Sequence, residues 1–144
     1  MIHKSVNNLV SIEKEIQLKK NNVQIIAVSK TFPVSHIYPL INYGHKDYGE
    51  NKVQEAVEKW TDIKKDFSHI QLHLIGKLQT NKVKYALPLF DYIHSLDNTK
   101  LAEKIAAEQI KKKFKPKIFV QVNIGNEDQK NGIDTKNLSK FINN

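Results

Sequence analysis

The sequence predicts a parallel α/β fold, and three observations carry that reading. The stretch Ile25-Ile26-Ala27-Val28-Ser29-Lys30-Thr31 is an apolar run with a polar tip, the pattern of a strand buried on both faces of a helix-covered parallel sheet. Four more short strand-like runs follow along the chain, and each leads into residues spaced as a helical stripe. The loop after the first strand has no Gly-x-Gly-x-x-Gly, and Gly-x-x-x-x-Gly-Lys-Ser/Thr occurs nowhere, so the two nucleotide-binding versions of an open sheet lack positive support. By strand count, an open doubly wound sheet and a barrel fit equally well.

Ile2, Val6, Leu9, Glu13 and Ile16 alternate at spacings of four and three, which predicts an amphipathic helix running to about Lys20 and ended by Asn21-Asn22. The first strand follows and is broken by Phe32-Pro33. Val34, Ile37, Leu40 and Ile41 then mark a short helix closed by Gly44. Lys46 to Glu50 reads as a brief second strand, and Val53, Ala56, Val57, Trp60 and Ile63 as the stripe of the next helix. A third strand, Ile70 to Ile75, ends at Gly76, and a shorter helix from Lys77 to Leu87 is stopped by Pro88. Phe90 to Leu96 is the fourth strand. Leu101, Ala102, Ile105, Ala106 and Ile110 line a helix for which Asp97 or Asn98 can serve as N-cap. Pro116 opens a fifth strand, Ile118 to Ile124, and a fifth helix is expected from Asp134.

Composition narrows the function classes. With 144 residues, 40% hydrophobic, and no low-complexity tract, the chain is expected to fold as one domain over residues 1–144. It has no cysteine, hence no disulfide framework and no thiolate metal site. No stretch approaches the roughly 20 apolar residues of a membrane span, and the first residues have no signal-peptide core, so the expected location is the cytoplasm. The net charge is +8, yet all 23 basic residues are lysine. Arginine, the side chain best suited to bidentate recognition of phosphate and guanine, is missing, and there is no aromatic stacking platform; both weigh against specific nucleic-acid binding.

Candidate chemistry gathers at strand ends. Lys30 lies just past the first strand, where α/β barrels keep their active groups. A primary amine there could condense with a carbonyl as a Schiff base if its surroundings lowered its pKa; the plain alternative is a solvated lysine closing a strand. Asn51 follows the second strand and is expected to cap the next helix. Alternation puts His73 on the opposite face of the third strand from Leu72 and Leu74, where a hydrogen-bonded core histidine is expected. His69 and His73 would stand roughly 13 Å apart along a strand, too far for one metal ion. The acidic loop Asn126-Glu127-Asp128 lacks the ligand pattern of a calcium site, and no Gly-x-Ser-x-Gly elbow is present.

Four blocks together carry a resemblance: Ala27-Val28-Ser29-Lys30-Thr31; Tyr48 to Glu55; His73 to Lys82; and Val122-Asn123-Ile124 with Glu127, Lys130 and Gly132. In order and spacing they resemble the pyridoxal phosphate homeostasis protein family. The resemblance implies a TIM-type (β/α) barrel similar to the N-terminal domain of alanine racemase, of which this chain would hold the first five βα units, the family's C-terminal strands being absent. It implies pyridoxal 5'-phosphate (PLP) held as a reversible Schiff base on Lys30, with Asn51 and His73 lining the pocket and Gln79, Asn81 and Lys82 shaping its mouth. It further implies a carrier or homeostasis role rather than catalysis, with PLP-dependent apo-enzymes as recipients.

A barrel's phosphate site is typically built by the loops after its seventh and eighth strands, so the chain is expected to carry the lysine without the phosphate cradle. Unpaired first and fifth strands would then invite self-association or a separately made C-terminal half. The rival readings are a non-catalytic interaction fragment that binds no PLP, a basic polyanion-binding module, and a racemase or decarboxylase of the same fold.

Overall fold

The computed structural model describes residues 1–19 and 22–144. Helix α1 spans Lys4–Lys19 and turns Val6 and Leu9 inward. The expected helix end at Lys20 and Asn21 lies outside the described residues. The main chain then alternates: β1 (Ala27–Val28), α2 (Val34–Tyr43), β2 (Asp47–Glu50), α3 (Val53–Asp66), β3 (Gln71–Leu74), α4 (Val83–Ala86), β4 (Tyr92–Leu96), α5 (Thr99–Lys112) and β5 (Lys117–Val120). The five strands form one sheet in the order β1-β2-β3-β4-β5, each pair parallel, so every connection passes through a helix on its way to the next strand. Sequential neighbours throughout, with helices between, make this part of a (β/α) barrel.

The strands have two unlike faces. Tyr48, Leu72, Leu74 and Ile93 point toward the helices and pack with Ile41, Ala56, Trp60, Ile63, Val83 and Leu101 in one buried cluster. Their partners in the pleat point the other way, toward the barrel interior, where Val28 and Phe119 remain 49% and 51% exposed. The expectation that the first strand is buried on both faces therefore fails: β1 is an edge strand of only two residues, open on the interior side. Its apolar composition suits a barrel interior, which this five-stranded sheet leaves uncovered.

Local chemistry explains the boundaries. Gly44 closes α2 in the left-handed conformation, φ 98°, and returns its N–H to the Ile41 carbonyl. Asn98 caps α5, its side chain accepting the Leu101 N–H at 2.9 Å. Asn51 is not a cap: the residue before α3 is Lys52, and no side chain caps that helix. The expected helix from Lys77 begins late, as a 3-10 turn at Thr80–Lys82 followed by the four residues of α4.

The expected fifth strand is one extended run that changes partner. It pairs with β4 through β5, the Gln121 N–H reaches the Leu96 carbonyl at 2.8 Å, and β6 (Val122–Asn123) then pairs with β7 (Ile133–Asp134). Gly132, at φ 120°, lies so close to Asn123 that a Cβ would stand 2.7 Å from its amide nitrogen. A 3-10 turn at Thr135–Asn137 leads into α6 (Leu138–Asn143). No helix among the described residues is long and apolar enough to cross a membrane.

Trp60 is fully buried and stacks at a tilt on Tyr48, ring centroids 5.0 Å apart. Trp60→Ala is expected to lower the unfolding free energy by about 3–5 kcal/mol, the usual cost of emptying an aromatic site, seen as an earlier midpoint in a urea titration.

Candidate functional site at the rim of the sheet

The C-terminal ends of the strands set the heights of the candidate residues. Ala27 pairs with Tyr48 and Val28 with Gly49. Lys30 and Asn51 each lie two residues beyond that last pair, past the ends of β1 and β2, and both are exposed. Gly49 in turn pairs with His73, so His73 sits one interior layer deeper, roughly 7 Å below the rim at about 3.3 Å per residue. Lys30 and Asn51 thus both lie past the C-terminal ends of their strands, whereas His73 lies within β3.

Lys30 occupies a turn rather than regular strand. The Phe32 N–H closes back on the Ser29 carbonyl at 3.2 Å, and Thr31 has φ 65°, a left-handed conformation rare for a β-branched residue. Such outliers persist where surrounding structure over-determines the backbone. Among the described residues the Lys30 amine has no salt-bridge partner.

The preceding residue is held on every polar group. The Ser29 N–H donates to the Gly49 carbonyl at 3.0 Å, its hydroxyl to Glu50 Oε1 at 2.8 Å, and its carbonyl accepts from Lys59 Nζ at 2.9 Å. Glu50 is fully buried, and the same Oε1 also accepts from Lys59 Nζ at 2.8 Å and Trp60 Nε1 at 2.9 Å. This network was not legible in the sequence, because Ser29, Glu50, Lys59 and Trp60 follow no periodic spacing.

A cleft of about 400 Å³ opens beside the rim, lined by Asn51, Lys52, Val53, Gln54, Lys77, Gln79 and Lys82. Its lining has amides and ammonium groups and no carboxylate, a donor set suited to an anion. Gln79 and Lys82 line this cleft together with Asn51. Asn81 lines a separate depression with Lys100 and Lys104. Gly76 lets the loops after β2 and β3 meet, since a Cβ there would overlap the Asn51 carbonyl oxygen.

His73 belongs to an interior network. Its Nε2 is 2.9 Å from Asp47 Oδ1 and its Nδ1 is 2.9 Å from His94 Nε2. Tyr92 stacks on His73 at 4.2 Å between centroids and Phe119 on His94 at 4.5 Å. A consistent proton assignment has His73 donating from Nε2 to Asp47 while His94 donates from Nε2 to His73 Nδ1. In this assignment both ring nitrogens of His73 are hydrogen-bonded. Burial, and secondarily the neighbouring His73, hold the His94 pKa below its ordinary value. Among the described residues, no group of three His, Cys, Asp or Glu side chains is placed to hold a metal ion.

Comparison with known proteins gives this geometry a context. No protein-family model matches the chain. It is 41% identical to a pyridoxal phosphate homeostasis protein of Buchnera aphidicola over 141 residues, 93% of this chain and 61% of the relative. It is 38% identical to one of Aquifex aeolicus over 123 residues, 85% and 53% of the two chains. Among solved structures, PipY of Synechococcus elongatus PCC7942 without PLP superposes with a TM-score of 0.87 at 34% identity, covering 95% of this chain and 62% of PipY. PipY with PLP bound gives 0.81 at 32% identity. Alanine racemase of Clostridium difficile 630 shares the fold, with a TM-score of 0.71 at 12% identity.

Fold and site together define part of an alanine-racemase-like (β/α) barrel with a lysine at the C-terminal end of its first strand. Over most of its length the chain is homologous to proteins named pyridoxal phosphate homeostasis protein. It spans between about half and three fifths of the curated relatives it matches.

Because the folded His94 binds a proton more weakly than the unfolded one, its contribution to stability is present above the ordinary histidine value of 6.5. That contribution is lost as the pH falls below 6.5 toward the folded value. The thermal midpoint of the wild-type chain is expected to drop more than that of His94→Gln between about pH 7.5 and about pH 5. Parallel curves for the two proteins would remove His94 as the source.

Proposed function

We propose that this chain binds pyridoxal 5'-phosphate through Lys30 and acts as a carrier in cytoplasmic PLP homeostasis, without catalysing a reaction of its own. The observation that carries the reading is the exposed lysine at the C-terminal end of β1, without a salt-bridge partner among the described residues, in a chain 32% identical to PipY, which has been solved with PLP bound.

The residues present fit the cofactor's amine-reactive end. Bound PLP supplies an electrophilic aldehyde carbon that condenses reversibly with a primary amine. Lys30 is that amine in this reading. Asn51 would offer an amide to the cofactor, and the ammonium groups of Lys77 and Lys82, which line one cleft with it, would favour its anionic part. His73 lies deeper on the interior face, its two ring nitrogens engaged by Asp47 and His94.

An attachment at an exposed rim is open to competing amines and to water, which suits storage and delivery. Apo-enzymes that use PLP are the recipients this reading names. The unpaired edges of β1 and β5 and the exposed Val28 and Phe119 beside them support contact with further chain, either a second copy or the rest of a barrel.

The test adds PLP to the chain, fixes the linkage with borohydride and locates it by peptide mass spectrometry. Saturable attachment concentrated on Lys30 and lost in Lys30→Ala is expected. Attachment spread over the surface lysines and unchanged in Lys30→Ala would reject the carrier reading.

A further inference from the structure

We infer that Glu50 and Lys59 are positioning residues for Lys30: a buried ion pair that locks the Ser29–Lys30 peptide and thereby fixes where the Lys30 amine stands. The inference rests on the carrier reading for its purpose, though its geometry is independent of it.

The pair is unusual in what it holds. Lys59 bridges two acceptors, Glu50 Oε1 at 2.8 Å and the Ser29 carbonyl at 2.9 Å. That carbonyl belongs to the peptide leading into Lys30. With the Ser29 hydroxyl on Glu50 and the Ser29 N–H on Gly49, the backbone entering Lys30 is gripped from α3 on one side and β2 on the other. Immediately beyond Lys30 the chain adopts φ 65° at Thr31. A conformation this uncommon for threonine needs neighbours that enforce it, and the Glu50–Lys59 pair acts one residue upstream of Lys30.

Stability alone does not account for the arrangement. Buried ion pairs are often replaceable by packed apolar side chains without loss of stability. Here the carboxylate is also imperfectly served: Oε1 takes three donors while Oε2 is buried with none. A pair optimised for stability would use both oxygens. This one places its donors where they hold Ser29.

The experiment compares wild type with the double variant Glu50→Gln/Lys59→Met, which removes both charges and retains side-chain bulk. A second variant, Ser29→Ala, deletes only the hydroxyl link and leaves the ion pair intact. Two readouts are taken on folded protein, verified by a cooperative melt. One is the apparent affinity of Lys30 for PLP, measured by borohydride trapping. The other needs no cofactor: lysines are reductively methylated with 13C-formaldehyde, and the Lys30 resonance, assigned by its loss in Lys30→Arg, is followed by NMR.

The double variant is expected to bind PLP at Lys30 at least about tenfold more weakly, a change of roughly 1.4 kcal/mol. Its Lys30 resonance should move toward those of the freely exposed lysines. Ser29→Ala should shift both readouts the same way by a smaller factor, and it decides the matter if the double variant does not fold. An unchanged Lys30 resonance and affinity in a folded variant would overturn the inference. If the wild type shows no selective attachment at Lys30, the carrier reading fails, while the resonance comparison still decides whether the pair positions the lysine.

Discussion

The carboxylate of Glu50 is the constraint on which this part of the barrel depends. A fully buried charge is tolerable only when neutralised and hydrogen-bonded, and its donors come from different elements: Ser29 after β1, Lys59 and Trp60 on α3. Satisfying one oxygen therefore fixes the edge strand, the second strand and the covering helix relative to one another. Removing a single partner of a buried pair costs about 3–5 kcal/mol in general, so the three elements are expected to move, or hold, as a unit. The aromatic pair of Tyr48 and Trp60 lies on the same side of β2 and fills the space around the charge.

The opposite side of the sheet follows a different logic. Parallel sheets covered by helices on both faces bury two apolar surfaces. The interior face here instead carries Asp47, His73, Tyr92, His94 and Phe119, joined by hydrogen bonds and ring stacking. Polar side chains that satisfy one another in a ladder suit a barrel interior, where strands converge on a common axis. They would suit a sheet-on-helix contact poorly, since a helix's apolar stripe offers no partners. The residue types on this face thus discriminate between the barrel and the open sheet, which strand counting left equal.

This also explains which features were legible in the sequence. Helical stripes on α3 and α5 were readable because their inward residues recur at a helical period, and Asn98 because a capping amide works through its own local backbone. The position of Lys30 past the first strand was readable as well. Asn51 misled because cap preference is a local rule, and here the loop after β2 is packed against Gly76, with α3 starting one residue later. The run at 117–123 was readable as extended but not as a strand that exchanges one partner for another, a property of distant residues such as Ile133. The Glu50 network was hidden for the same reason: its hydrogen-bonded partners lie 9 to 30 residues apart and meet only in three dimensions.

The vertical separation of Lys30 and His73 bears on what such a site can do. Catalysis on a cofactor-bound amine needs an acid or base within hydrogen-bond reach of the reacting atoms. The interior histidines lie one layer below the rim, engaged with Asp47 and each other. What remains at the rim is an amine, an amide and a cleft lined by lysines. Those groups supply an amine able to hold an aldehyde reversibly and cations that favour an anion.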